Sequence, residues 1–214
     1  MDNQDSLLVL NAAEQRVLGV LIEKSRTTPD YYPMTIAALT SACNQKTSRN
    51  PVVSYDEETV VLTLNALKIK GLTATATGGS SRAVKYKHNL AIVYPLLPAE
   101  LSIICLLLLR GPLTPGEINT SSARLYEFET IEEVQEILRK LAADVPAYVK
   151  QLDKKPGQKE ARFQHLFGAA PTGEETVQTE LSAPAHTNLE QRVNRLEQEL
   201  EELKDMVNLL MSQN

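Results

Sequence analysis

Ten cations, clustered in three short stretches, are the candidate functional side chains of this 214-residue chain. Lys150, Lys154, Lys155, Lys159 and Arg162 crowd into "VKQLDKKPGQKEAR", opposed only by Asp153 and Glu160. Arg82, Lys85 and Lys87 fall in "RAVKYK", and Lys46 and Arg49 in "QKTSRNP". The chemistry they offer is neutralisation of phosphate oxygens, which gives affinity for a nucleic-acid backbone with little reading of base sequence. The same charges would equally serve as soluble edges that discourage strand-to-strand pairing.

Covalent and metal chemistry have less to stand on. The sequence holds no Gly-rich phosphate loop, no GxSxG and no HExxH. Cys43 and Cys105 sit inside apolar helical patterns and are expected to be reduced core thiols. His88, His165 and His186 have no metal-ligand spacing. A non-enzymatic protein without catalytic residue, cofactor or metal is therefore expected.

The elements that must carry the cations follow from periodicity. Residues 11–25, "NAAEQRVLGVLIEKS", predict a first helix: Asn11 and Glu14 outline a capping box, and Val17, Leu18, Leu21 and Ile22 form an apolar face. "MTIAALTSACN" predicts a short second helix with Ile36, Leu39 and Cys43 inward. "DEETVVLTLNALKIK" predicts a third, stopped at Gly71. "LTATAT" and "RAVKYKH" alternate with period two around Gly78-Gly79, which predicts a β-hairpin. The pattern then recurs. "PAELSIICLLLLRG", "LTPGEINTSS" and "TIEEVQEILRKLA" predict three more helices, and "AYVKQL" and "EARFQHL" a second hairpin around "DKKPGQK". The apolar run "LSIICLLLL" is far shorter than the ~20 residues a membrane helix needs, so a buried helix is expected there and no membrane partner.

Three helices followed by a hairpin is the winged-helix order. The expected fold class is mainly α with small β-hairpin wings: two tandem winged helix-turn-helix domains, residues 8–92 and 93–168, and a C-terminal coiled-coil helix. Residues 169–188 lack periodicity and predict a flexible linker. Within 189–212, Leu189, Val193, Leu196, Leu200, Leu203, Val207 and Leu210 keep an unbroken heptad spacing. In a parallel pair, Arg192 would face Glu197 and Glu199 would face Lys204 of the second copy, so a homodimer is expected.

The third helix of each unit is the element that would enter a DNA groove, and neither has the usual side chains. At 100° per residue, Val60, Leu64 and Leu67 face the core, while Glu58, Leu62, Asn65 and Ile69 face out. Leu62 and Ile69 lie in line, which suits a protein contact better than base edges. In the second unit Val134, Leu138 and Leu141 face in, and Glu129, Glu132, Glu133 and Glu136 lie outward with Arg139 the cation beside them. Carboxylates repel phosphates, so this helix is expected to stay out of a groove.

"RVLGVLIEKSRTTPDYYP", "ACNQKTSRNPV", "RAVKYKH", "LLLLRGPLTPGEI" and "GQKEARFQHL", in this order, closely resemble the bacterial YceH family over residues 8–168. The resemblance implies a tandem winged-helix fold and a bacterial cytosolic setting, and brings no activity, ligand or catalytic residue. Where that family tends to be basic after its second "TPGE", this chain has neutral Asn119 and Ser121, with Arg124 remaining. Two winged helices in series also look like the segregation protein ScpB, which binds proteins with them, and the helix order looks like MarR-type repressors, which bind DNA.

Charge leaves both functions open. Net charge is −5, but residues 169–214 hold 9 acidic against 3 basic residues, and residues 1–90 hold 10 basic against 8 acidic. A near-neutral body predicts no strong nonspecific nucleic-acid field. The acidic start "MDNQDSLLVL" lacks the basic stretch of a signal peptide, and a cytoplasmic location is expected. The expected function is a DNA-associated regulator that contacts double-stranded DNA through basic loops and wings. The alternative is an interaction module of the ScpB kind, with an unidentified protein held at Leu62 and Ile69.

Overall fold

A computed structural model describes residues 6–76, 83–154 and 157–168. It is mixed α and β, mostly helical, with two small antiparallel hairpins. The Gly78-Gly79 turn, Arg82, Lys155, His186, the linker and the whole heptad segment lie outside the described residues.

Helix α1 (Ala12–Thr27) begins at the expected capping box. Asn11 Oδ1 accepts from the Glu14 amide at 2.9 Å, and the Asn11 amide donates to Glu14 Oε2 at 2.8 Å. Helix α2 (Ile36–Cys43) is capped by Thr35, and α3 (Glu57–Ile69) by Asp56. Strands β1 (Thr73–Ala76) and β2 (Lys85–His88) pair antiparallel, Thr73 opposite His88. A single helical turn, α4 (Leu90–Val93), follows, which the sequence periodicity did not indicate. Four residues are too few to show a period, and of them Leu90 is fully buried while Ala91 packs against the core from its edge.

Helices α5 (Pro98–Arg110), α6 (Pro115–Ser122) and α7 (Ile131–Ala143) repeat the order, and β3 (Val149–Gln151) pairs with β4 (Phe163–His165). Thr114 and Glu117 form a second capping box at α6. The echo extends to the backbone. Met34, just before α2, exchanges both backbone hydrogen bonds with Tyr86 of β2 at 2.8 and 3.0 Å. Leu113, just before α6, does the same with Phe163 of β4 at 2.8 and 3.1 Å. Each hairpin is thus tied back to the chain leading into the second helix of its own half.

One hydrophobic core serves both halves. Leu101 through Leu109 of α5 are all buried, because a helix apolar on every side must be wrapped on every side. Its main neighbour is α1, and the two helices approach closely at Gly19. A Cβ there would stand 2.9 Å from Leu109 Cδ2 and 3.2 Å from Leu108 Cβ. Cys105 donates its thiol to the Gly19 carbonyl at 3.4 Å, so this cysteine is a core side chain. Leu39 and Cys43 are buried as expected, and Ile36 is half-buried against the same core. Leu10, ahead of α1, donates to the Phe167 carbonyl, after β4, at 2.7 Å, and the rings of Tyr94, Tyr148 and Phe167 pack 5.4 to 6.2 Å apart.

Candidate nucleic-acid interface

Arg49 does not face solvent. Its side chain is 0% exposed and forks onto Glu23, with Nη2–Oε2 at 2.6 Å and Nη1–Oε1 at 3.0 Å. It also donates to the carbonyls of Ser48 and Ala42 and to Gln45 Oε1. Arg16, also buried, donates to the Cys43 and Pro51 carbonyls. The loop between α2 and α3 is thus built over two arginines. Burial lowers the Arg16 pKa, and the neighbouring Arg49 charge adds to the effect. Burial pushes the Glu23 carboxyl up, but the Arg49 hydrogen bonds and charge outweigh it and the net shift is downward.

Arg162 is also engaged. Its guanidinium meets Glu117 at 2.7 and 2.9 Å and donates to the Pro112 carbonyl at 2.8 Å. This pair joins the residue just before β4 to the first turn of α6 and remains partly solvent-exposed. Lys46, Lys87, Lys154 and Lys159 are exposed, and Lys85 and Lys150 half-buried.

The structure brings Lys154 and Lys159 together with Arg139 of α7. The three line a cleft of about 290 Å³ between that helix and the second hairpin, with Gln135, Gln151 and Glu160 also on its walls. Lys154 Nζ donates to the Lys159 carbonyl at 3.3 Å, which holds the two arms of the hairpin loop. Arg139 Nε donates to the Gln135 carbonyl on its own helix. Three cations and two amides against one carboxylate can grip an anionic chain lying along the cleft. In the sequence Arg139 is a cation beside four glutamates. Its alignment with the hairpin lysines is tertiary and has no local signal.

The third-helix faces are as periodicity placed them. Val60, Thr63, Leu64 and Leu67 of α3 are buried, while Leu62 is 63% and Ile69 89% exposed. Glu58 and Asn65 are exposed on the same helix. In α7, Val134, Leu138 and Leu141 are fully buried, and Glu132, Glu136 and Arg139 exposed. Glu133 is half-buried and accepts from the Glu129 amide at 2.9 Å.

The cysteines and histidines among the described residues are buried or half-buried. Burial pushes the Cys43 thiol up to about 12 and raises Cys105 as well, so both are neutral near pH 7 and poor nucleophiles. Burial depresses His88 to about 4, with the Arg26 charge contributing, and burial alone does the same to His165. Among the described residues no cluster of His, Cys, Asp or Glu is arranged to hold a metal ion, and no helix is long and apolar enough to cross a membrane.

Residues 10–158 match the family model described as a protein of unknown function, DUF480. Three relatives share the description UPF0502 protein. The one from Shewanella halifaxensis is 44% identical over 211 residues, covering 94% of this chain and 98% of its own. That from Pelobacter propionicus is 42% identical over 206 residues, covering 95% and 94%. That from Opitutus terrae is 45% identical over 167 residues, covering 78% and 73%. The chain belongs to this DUF480/UPF0502 family of uncharacterised bacterial proteins.

Proposed function

We propose that this family member is a non-enzymatic, cytoplasmic, tandem winged-helix protein that holds double-stranded DNA by its backbone, with the second wing as the main grip. The helix–helix–helix–hairpin order supports the winged-helix assignment. So does the bridge from each hairpin to the segment before the second helix, which is the third strand such a sheet requires. The observation that carries the function is the cleft shared by Arg139, Lys154 and Lys159. A phosphate chain passing between third helix and wing would meet all three cations. The glutamates of α7 keep that helix from sinking into the major groove, so binding is weak in sequence preference and strong in salt dependence. The tail heptads give a homodimer and with it two such grips.

The triple variant Arg139→Ala, Lys154→Ala, Lys159→Ala tests this. Loss of about three phosphate contacts per wing should cut the salt slope of duplex binding by nearly three for each wing engaged, at unchanged stability. An unaltered slope would remove the second wing from the interface.

One observation favours protein docking as a second function. Leu62 and Ile69 stand two turns apart on one face of α3 at 63% and 89% exposure. Two large aliphatic side chains in line on a helix are a usual protein-contact arrangement. Leu62→Asp with Ile69→Asp should leave DNA binding intact and abolish a partner complex. If DNA binding falls instead, α3 belongs to the DNA face.

A further inference from the structure

A second cationic cleft, larger and better enclosed than the first, lies between the two halves of the molecule, with a volume of about 480 Å³. Lys24 at the end of α1, Lys46 in the loop after α2, Arg110 at the end of α5 and Arg124 after α6 all reach its walls. Its one carboxylate, Glu23, has both oxygens on Arg49, whose own charge sits just behind the wall, and its Oε2 also lies 3.3 Å from Lys24 Nζ. In a chain of net charge −5 this is a concentrated excess of positive charge.

Arg110 is held in place for use. Its Nη1 donates to Ser121 Oγ and its Nη2 to Ser48 Oγ, each at 2.8 Å. Neither is a carboxylate, so the guanidinium is oriented but not neutralised. Ser48 has φ +59°, and is the one positive-φ non-glycine among the described residues. A serine held in the left-handed region is uncommon and stores strain where a side chain must be aimed. Ser48 and Ser121 come from opposite halves of the chain, and both also line the cleft. Leu106, Leu109 and Leu125 supply an apolar wall. Cations spread over a volume typical of small-molecule sites, beside an apolar wall, fit an organic body carrying two or more anionic groups.

We infer that this cleft binds a small organic polyanion of the phosphate-ester class, bridging the two halves of the protein. Lys46 and Arg124 provide the charge, Lys24 is shared with Glu23, and the Ser48–Arg110–Ser121 triad supplies the oriented donors. The site is separate from the wing cleft and does not depend on DNA binding.

The test is isothermal titration of the full chain with inorganic pyrophosphate and with a nucleoside triphosphate, sodium chloride of matched ionic strength serving as control. The expected result is saturable binding at one site per chain, tighter for the nucleotide, with a raised melting temperature. Lys46→Gln and Arg124→Gln, both exposed side chains, should each weaken binding about tenfold without moving the melting temperature of the free protein. Lys154→Ala with Lys159→Ala should leave it unchanged. Three results would overturn the inference: heats no larger than those of the chloride control, affinity undiminished in both cleft variants, or displacement of pyrophosphate by stoichiometric duplex DNA. The last would assign these cations to backbone contact instead.

Discussion

Arg49 to Ala is the substitution that most sharply separates a structural cation from a DNA-contacting one. The guanidinium is 0% exposed, and its Glu23 partner has a side chain only 15% exposed. Removing the arginine deletes a two-pronged ion pair and the donors to Ser48, Ala42 and Gln45, and strands a desolvated carboxylate. Breaking a buried pair from one side costs about 3–5 kcal/mol. Lys24, 3.3 Å from Glu23 Oε2, can take up part of the charge, which places the expected loss near the lower end, about 3 kcal/mol. Urea unfolding at pH 7 and 25 °C measures it. Glu23→Gln in the Arg49→Ala background should return part of the loss, because the stranded charge is gone. The Glu23 carboxyl titrates below its ordinary value when folded. The pair therefore contributes fully above the unfolded pKa and is lost as pH falls through the folded one. A loss under about 1 kcal/mol, with no rescue by the second substitution, would refute the burial argument.

Three further outcomes are expected. Gly19→Ala gains about 1 kcal/mol of helix propensity but forces a methyl against Leu109 and Leu108, at about 1–3 kcal/mol. A lowered melting temperature is expected, a larger drop for Gly19→Val, and a rise for either would contradict the α1–α5 packing. His88 and His165 have folded pKa values near 4 against 6.5 unfolded, so the unfolded chain takes up protons first. Stability is complete above about pH 6.5 and falls as pH drops toward 4, by about 2 kcal/mol per histidine at pH 5. His165→Phe should remove that histidine's share from a urea titration at pH 7 and pH 5, and an unchanged difference would show that His165 is not the source. Deleting residues 189–214 should convert a dimer to a monomer in light scattering, and a truncated dimer would end the heptad assignment.

What was legible in the sequence was what is local. The Asn11–Glu14 box, the inward faces of α1, α3 and α7, and the paired strands of both hairpins are each written within a few residues, and the structure has them where the pattern put them, although β1 and β2 do not alternate in burial. Arg49 was not legible. Its loop is polar and its neighbours are Ser48 and Asn50, so sequence context reads it as a surface cation, while its partner lies 26 residues earlier on α1. Arg162 is similar, with Glu117 45 residues away. The cleft between the halves draws its cations from four separated segments and has no sequence signature. Lys24 and Arg110 share only the general preference of cations for helix C-termini.

Fluorescence anisotropy of the pure protein with a random-sequence duplex, titrated with salt, reads the backbone grip itself. Gripping the backbone by the Arg139–Lys154–Lys159 cleft predicts measurable binding at low salt. The logarithm of the affinity should then fall linearly with the logarithm of salt, with a slope of about −3 per wing engaged. Absence of binding at low salt would contradict the account and leave the α3 face of Leu62 and Ile69 as the working surface.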